Sequence, residues 1–344
     1  MARASAFLDW ILPPARRGKA VDAGSALLRI VAVACVVMLH MKSCFHIEPQ
    51  DSFSSQALAV LFACCFWAVP AFVVLSGYHT IPCLEKMRVG EFYRKRLARL
   101  AAKTLFWGAF FTLLFSVVGK HGMSGWLSDW LQCRPFFHLW YLFMLVGLYA
   151  LAPLCALALR SGYVVAGALV VQLLVMVNPP FFDAPLWQRP VMISLPYVVP
   201  FLLGGLLARR QIDRRLGLVA IAASLLYFAI VVLAWLNGGS LFSYPVCHYL
   251  GFFGLVGGLS AVVAMLYLGG LLSPAAGVLL FRASRLVLGV YIVHPIVMTV
   301  LSKVLPPAFF SGVGGVACGW AVVCAASFAL VAAMLKVPLL NRFL

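Results

Sequence analysis

Acidic residues are nearly missing from this chain: nine Asp and Glu stand among 344 residues, against 26 Lys and Arg. Charge of either sign makes up only 10% of the sequence and 64% is hydrophobic, too little polar surface to cover a water-soluble globule. The chain therefore reads as an all-α, polytopic membrane protein. Other absences narrow its chemistry. It has no GxSxG elbow, no HExxH and no phosphate-cradling GxxxxGK[ST]. The ten cysteines include no CxxC pair and no zinc-like spacing, so they read as small buried hydrophobes and no metal is expected. Cys44, Cys133 and Cys247 fall near the outer face in the topology below, where one disulfide among them is an open option. No polar segment exceeds roughly 25 residues, too short for a nucleic-acid recognition module, so nucleic acid is excluded as a partner. No signal peptide precedes the first apolar run, which comes after a basic stretch and is expected to stay as a span. No appended soluble domain is expected.

What is there is a succession of apolar runs, each long enough to cross a hydrocarbon core of about 30 Å at 1.5 Å per residue. Ten are predicted, at about 24–45, 57–79, 103–119, 138–158, 162–178, 191–208, 216–236, 248–270, 285–303 and 312–337, in one integral membrane domain over 1–344. An even number puts both termini on one side. With that side cytoplasmic, Lys and Arg fall on inner segments except Lys42, Lys120, Arg134, Arg189 and Lys303, as the positive-inside rule asks. The net charge of +17 is thus mainly an orientation signal, with membrane lipid as a further partner.

Several residues do not belong in lipid. Arg29 and His40 open and close an R-x10-H spacing in the first span. Eleven residues at 100° each end about 20° past three full turns, so the two share a helix face, with His40 roughly 16 Å deeper. His40 is either a core histidine bonded to a neighbouring helix or a reactive base below a cationic lip. Ahead of the third span, Arg96 and Arg99 stand at i and i+3 with Lys103 a turn further on. Topology and anionic lipid account for such a cluster; so does binding of phosphate or pyrophosphate, which suits arginine's planar donors. FWAVPAFVVLSGYHT (66–80) carries Pro70 in mid-span and ends in Ser76, Gly77 and Tyr78, where a kink would free backbone groups to line a cavity. FHLWYLF (137–143) offers His138, Trp140 and Tyr141 at an outer end, as an aromatic belt or as a platform for a sugar. LGVYIVHPIV (288–297) sets Tyr291 and His294 in mid-span beside Pro295.

Together these pieces carry a resemblance. The R-x10-H of Arg29 and His40, VPAFVVLSGY, the RxxR of Arg96 and Arg99, HLWYL and GVYIVHP occur in the order found in the acyltransferase family 3 membrane proteins, and they span essentially the whole chain. The stretch 137–154 is similar to that of the enzymes that O-acetylate enterobacterial common antigen. Family members commonly carry an acid three positions before the arginine, where this chain has Ala26; Asp22 lies a turn earlier.

The resemblance implies an enzyme of the bacterial inner membrane that transfers an acyl group, usually acetyl, from cytoplasmic acyl-CoA to a sugar hydroxyl, with no bound cofactor. The acceptor is a cell-surface or lipid-linked saccharide. Arg29, Arg96, Arg99 and Lys103 are then expected on the acyl-CoA, and His40 as general base or as acyl carrier. Ser76, Tyr78, His138, Trp140, Tyr141, Tyr291 and His294 are expected to line the acceptor mouth or channel. The rival is a transporter or flippase of a lipid-linked sugar or small anion, using His40 and His294 as proton relays. Few carboxylates fall within the spans and no inverted repeat is visible, which counts against it. A membrane sensor on the same scaffold is a third option.

Overall fold

A computed structural model describes residues 22–45, 52–117, 126, 129–133, 135–177, 193–237, 251–310 and 312–344. Among them there is no β-strand. In chain order the helices are α1 (Ala23–Phe45), α2 (Ser52–Ala63), α3 (Ala68–Leu84), α4 (Val89–Phe92), a π turn (Tyr93–Leu97), α5 (Ala98–Val117), α6 (Trp140–Ala158) and α7 (Gly162–Val177). After a short 3-10 turn (Leu195–Tyr197) come α8 (Val198–Leu207), α9 (Arg214–Leu236), α10 (Phe252–Gly270), α11 (Pro274–Ser284), α12 (Val287–Val304), α13 (Val313–Met334) and α14 (Pro338–Phe343). Each of the ten apolar runs contains helix among its described residues. Among the described residues eight stretches are long and apolar enough to cross a membrane, Ser52–Leu84 counting as one. The runs at 162–178 and 191–208 give the shorter helices α7 and α8.

Two of the differences from the expected boundaries bear on the candidate residues. The second run breaks at 64–67, upstream of Pro70, and helix resumes at Ala68. Proline in a helix interior would collide with the carbonyl four residues back; restarting at Ala68 puts Pro70 in a first turn, where its missing N–H has no partner to lose. Ser76 and Tyr78 therefore sit inside α3, whose interior proline is Pro82 and not Pro70. The third helical stretch begins at Val89, well before 103, because the charged residues that depress hydropathy there are themselves helical.

The chain divides into two compact units. One contains the described residues up to Phe72 together with Ile212–Arg342 and Leu344; the other contains Val73–Gln211 with Phe343.

In the first unit α1 is the hub, touching α10, α11, α12 and α13. Its start is fixed by Asp22, whose carboxylate accepts from the Ser25 backbone N–H at 2.8 Å and from the Ser25 hydroxyl. This satisfies one of the donors that a helix N-terminus leaves open. Immediately after Ser25, Ala26 is buried, so a carboxylate at 26 would be taken out of water among packed helices. Close approach of α1 to α10 needs glycine: a Cβ on Gly269 would stand 2.1 Å from the Gly24 nitrogen. From the other side Trp320 on α13 donates its indole N–H to the Ala34 carbonyl at 2.8 Å. Asp22→Ala should cost about 1 kcal/mol, the usual worth of an N-cap, and lower the melting temperature of the detergent-purified protein by roughly 2 °C.

In the second unit α3 and α8 cross at backbone contact. A Cβ on Gly77 would lie 1.9 Å from the Phe201 carbonyl oxygen, and one on Gly204 would lie 1.9 Å from that of Val74. Small residues permit this kind of crossing between helices in lipid. At one end Arg209 donates to Glu85 at 2.6 Å and to the Leu159 carbonyl at 3.0 Å, covering the C-terminus of α6. Both charged side chains are partly exposed, so the clasp orients more than it stabilises.

Candidate functional site

The first unit brings together two histidines that are 254 residues apart in sequence. His40 comes from the latter half of α1 and His294 from the middle of α12. His40 Nδ1 and His294 Nε2 are 2.7 Å apart, with the rings parallel to within 4°. His294 is fully buried and His40 half-buried. Residues Val287 and Gly289–Pro295 are all buried, which makes this stretch of α12 an interior wall of its unit.

The His294 ring turns back along its own helix: its Nδ1 lies 3.2 Å from the Val290 carbonyl, four residues earlier. Tyr291 itself is buried, its ring centroid 6.1 Å from that of His294. The same α1 carries Arg29, half-buried, eleven residues before His40. Among the described residues no set of three His, Cys, Asp or Glu is gathered as a metal ion would need.

The second unit holds the basic cluster. Arg94, Lys95, Arg96 and Arg99 are exposed and Lys103 is half-buried. The face shared by Arg96, Arg99 and Lys103 presumes a straight α-helix, and the π turn Tyr93–Leu97 changes that. A π turn inserts an extra residue into the helical ladder and rotates the segment before it against the segment after it; such turns are rare and recur at functional sites. Arg96, inside the turn, donates to Cys83 Sγ at 3.3 Å. Lys95 pairs with Glu91, and Tyr93 anchors the turn by donating its hydroxyl to the Ala150 carbonyl at 2.8 Å. Neither the π turn nor Cys83 carries a sequence signal that points to it.

The remaining sequence candidates fall in the second unit too. Ser76 and Tyr78 are half-buried on α3, the latter edge-on to His79. His138 is fully buried, its ring boxed by Phe111, Phe136 and Phe137. It thus sits behind the surface that a mouth would offer, while Trp140 and Tyr141 are half-buried and Trp140 packs on Tyr197. Of the cysteines considered for a disulfide, Cys133 is a free thiol in the left-handed backbone region (φ 56°). The Cys44 side chain and Cys247 lie outside the described residues.

No curated protein and no solved structure matches the chain, so the narrower likeness of 137–154 to enterobacterial common antigen enzymes has no support. The family model described as an acyltransferase domain, family 3, does match, over residues 22–336, a region that takes in both histidines, Arg29 and the basic cluster. The chain belongs to that acyltransferase family.

Proposed function

We propose that the protein is a membrane-embedded O-acyltransferase that moves an acyl group, acetyl in the simplest case, from cytoplasmic acyl-CoA to a hydroxyl of a cell-surface or lipid-linked saccharide. Its place is the bacterial inner membrane, with both termini cytoplasmic. The observation that carries this reading is the His40–His294 pair: two imidazoles in hydrogen-bond contact at the heart of a bundle belonging to an acyltransferase family. Ionisable groups in that setting are costly and mark chemistry more often than packing.

In the proposed reaction His40 takes the proton of the acceptor hydroxyl as its oxygen adds to the thioester carbonyl. The C–S bond breaks, and the leaving thiolate recovers the proton as free CoA thiol. Arg96, Arg99 and Lys103 bind the phosphates of the nucleotide, for which guanidinium groups are well shaped. Trp140 and Tyr141 offer aromatic faces to the sugar.

Everted membrane vesicles containing the protein, given acetyl-CoA, should release CoA thiol at the expense of the vesicles' own acceptor. A transporter or flippase would release none. Arg96→Gln with Arg99→Gln should weaken acetyl-CoA binding by roughly tenfold or more per arginine, the worth of a hydrogen bond to a charged group, read as lost thermal stabilisation by acetyl-CoA. Unchanged stabilisation would leave the cluster as a topology signal.

A further inference from the structure

The two histidines are not equivalent, and hydrogen-bond bookkeeping around them orders their protons. A backbone carbonyl can only accept. His294 Nδ1, 3.2 Å from the Val290 oxygen, therefore carries a hydrogen. A neutral imidazole has only one N–H, so His294 Nε2 carries a lone pair. The nitrogen facing it at 2.7 Å, His40 Nδ1, must then be the donor. Neutral His40 in turn holds its lone pair on Nε2. The opposite arrangement needs both nitrogens of His294 protonated, an imidazolium on a fully buried ring, which is far more costly than a neutral pair.

From this, and resting on the acyl-transfer reading above, we infer that His294 is a positioning residue that fixes the tautomer of His40 and makes Nε2 of His40 the reacting atom. The chain runs from the Val290 carbonyl through His294 to His40, and every link is a neutral donor to a neutral acceptor. When Nε2 takes the acceptor's proton, the His40 cation keeps its Nδ1–H on His294, now as a charge-assisted bond. The same chain serves if Nε2 takes the acyl group first, because that nitrogen still supplies the lone pair. A carboxylate could orient His40 equally well, but only by placing a resting charge deep in the membrane. Here the Val290 carbonyl supplies the anchor instead, without any charge.

The test uses full-length protein in everted vesicles, with acetyl-CoA as donor and release of CoA thiol as readout. His294→Ala is expected to lower kcat at least tenfold while leaving KM for acetyl-CoA unchanged. Nδ1-methylhistidine placed at position 40 in the His294→Ala protein is expected to recover at least fivefold, since the methyl fills vacated space and permanently leaves the lone pair on Nε2. No recovery, or a wild-type rate for His294→Ala, overturns the inference. His294→Gln, whose amide oxygen can accept from His40, is expected to exceed His294→Leu, which fills space without accepting; equal rates for those two overturn it as well. That comparison stands even if the alanine variant does not accumulate. Normal rates in the His294 variants with an inactive His40→Ala defeat this inference alone; undiminished activity in His40→Ala defeats it together with the proposed function.

Discussion

His40→Ala is expected to lower acyl transfer by about 100-fold to 10,000-fold, the range a positioned general base contributes, and by more if the imidazole carries the acyl group itself. The effect should fall on kcat. His40 is half-buried and its neighbours on α1, Leu39 and Met41, pack into a core with Phe45, Met298 and Phe310, so truncating one ring leaves that core in place. The purified variant should therefore keep a monodisperse elution profile and a melting temperature near that of the parent. Rates in vesicles and melting curves on the same preparations check both halves. A variant that folds and still transfers acyl groups at the parent's rate would remove His40 from the chemistry.

The second large effect is structural. Gly204→Val should prevent the second unit from forming, and Gly77→Val should do the same from the opposite helix. At either position a Cβ would stand 1.9 Å from a carbonyl oxygen of the other helix, where ordinary contact begins near 3.4 Å. The obstacle is backbone on both sides, so no rotamer relieves it, and overpacking that moves helices exceeds the usual cost of about 1–3 kcal/mol. Gly90→Val is the matched control: no atom lies within 4 Å of a Cβ there, and the position is exposed. Membrane-inserted yield and thermal stability should collapse for the first two and hold for the third. Equal yields for all three would mean that α3 and α8 do not cross as described.

The legibility of each feature in the sequence depends on the physics that sets it. The first run, 24–45, lies within a residue of α1, because bilayer thickness and composition alone fix such a segment. Hydropathy misplaces the start of the third helix, since it treats Arg94, Lys95, Arg96 and Arg99 as reasons to stop while the backbone treats them as ordinary helix formers. Pro70 draws attention to itself as the site of a kink, yet the break lies at 64–67, because a proline prefers the first turn after a break. Asp22 is noted in the sequence only as lying a turn before the usual acid, whereas an aspartate just ahead of an apolar run is a preferred N-cap, the role it takes with Ser25. His40 and His294 each stand out alone as polar groups in apolar runs. Their contact is a tertiary fact with no local signal, as is the π turn that separates Arg96 from the helix after it.

The closeness of the two rings also has an electrical consequence. A proton passed between them travels at most 2.7 Å. In a potential of 100 mV falling over about 30 Å, that displacement is worth roughly 0.2 kcal/mol, less than thermal energy. A relay that drives transport must carry charge through most of the membrane's thickness, and so draws on most of the available voltage. The histidine pair is too short a step to be powered by the membrane potential or to be stalled by it.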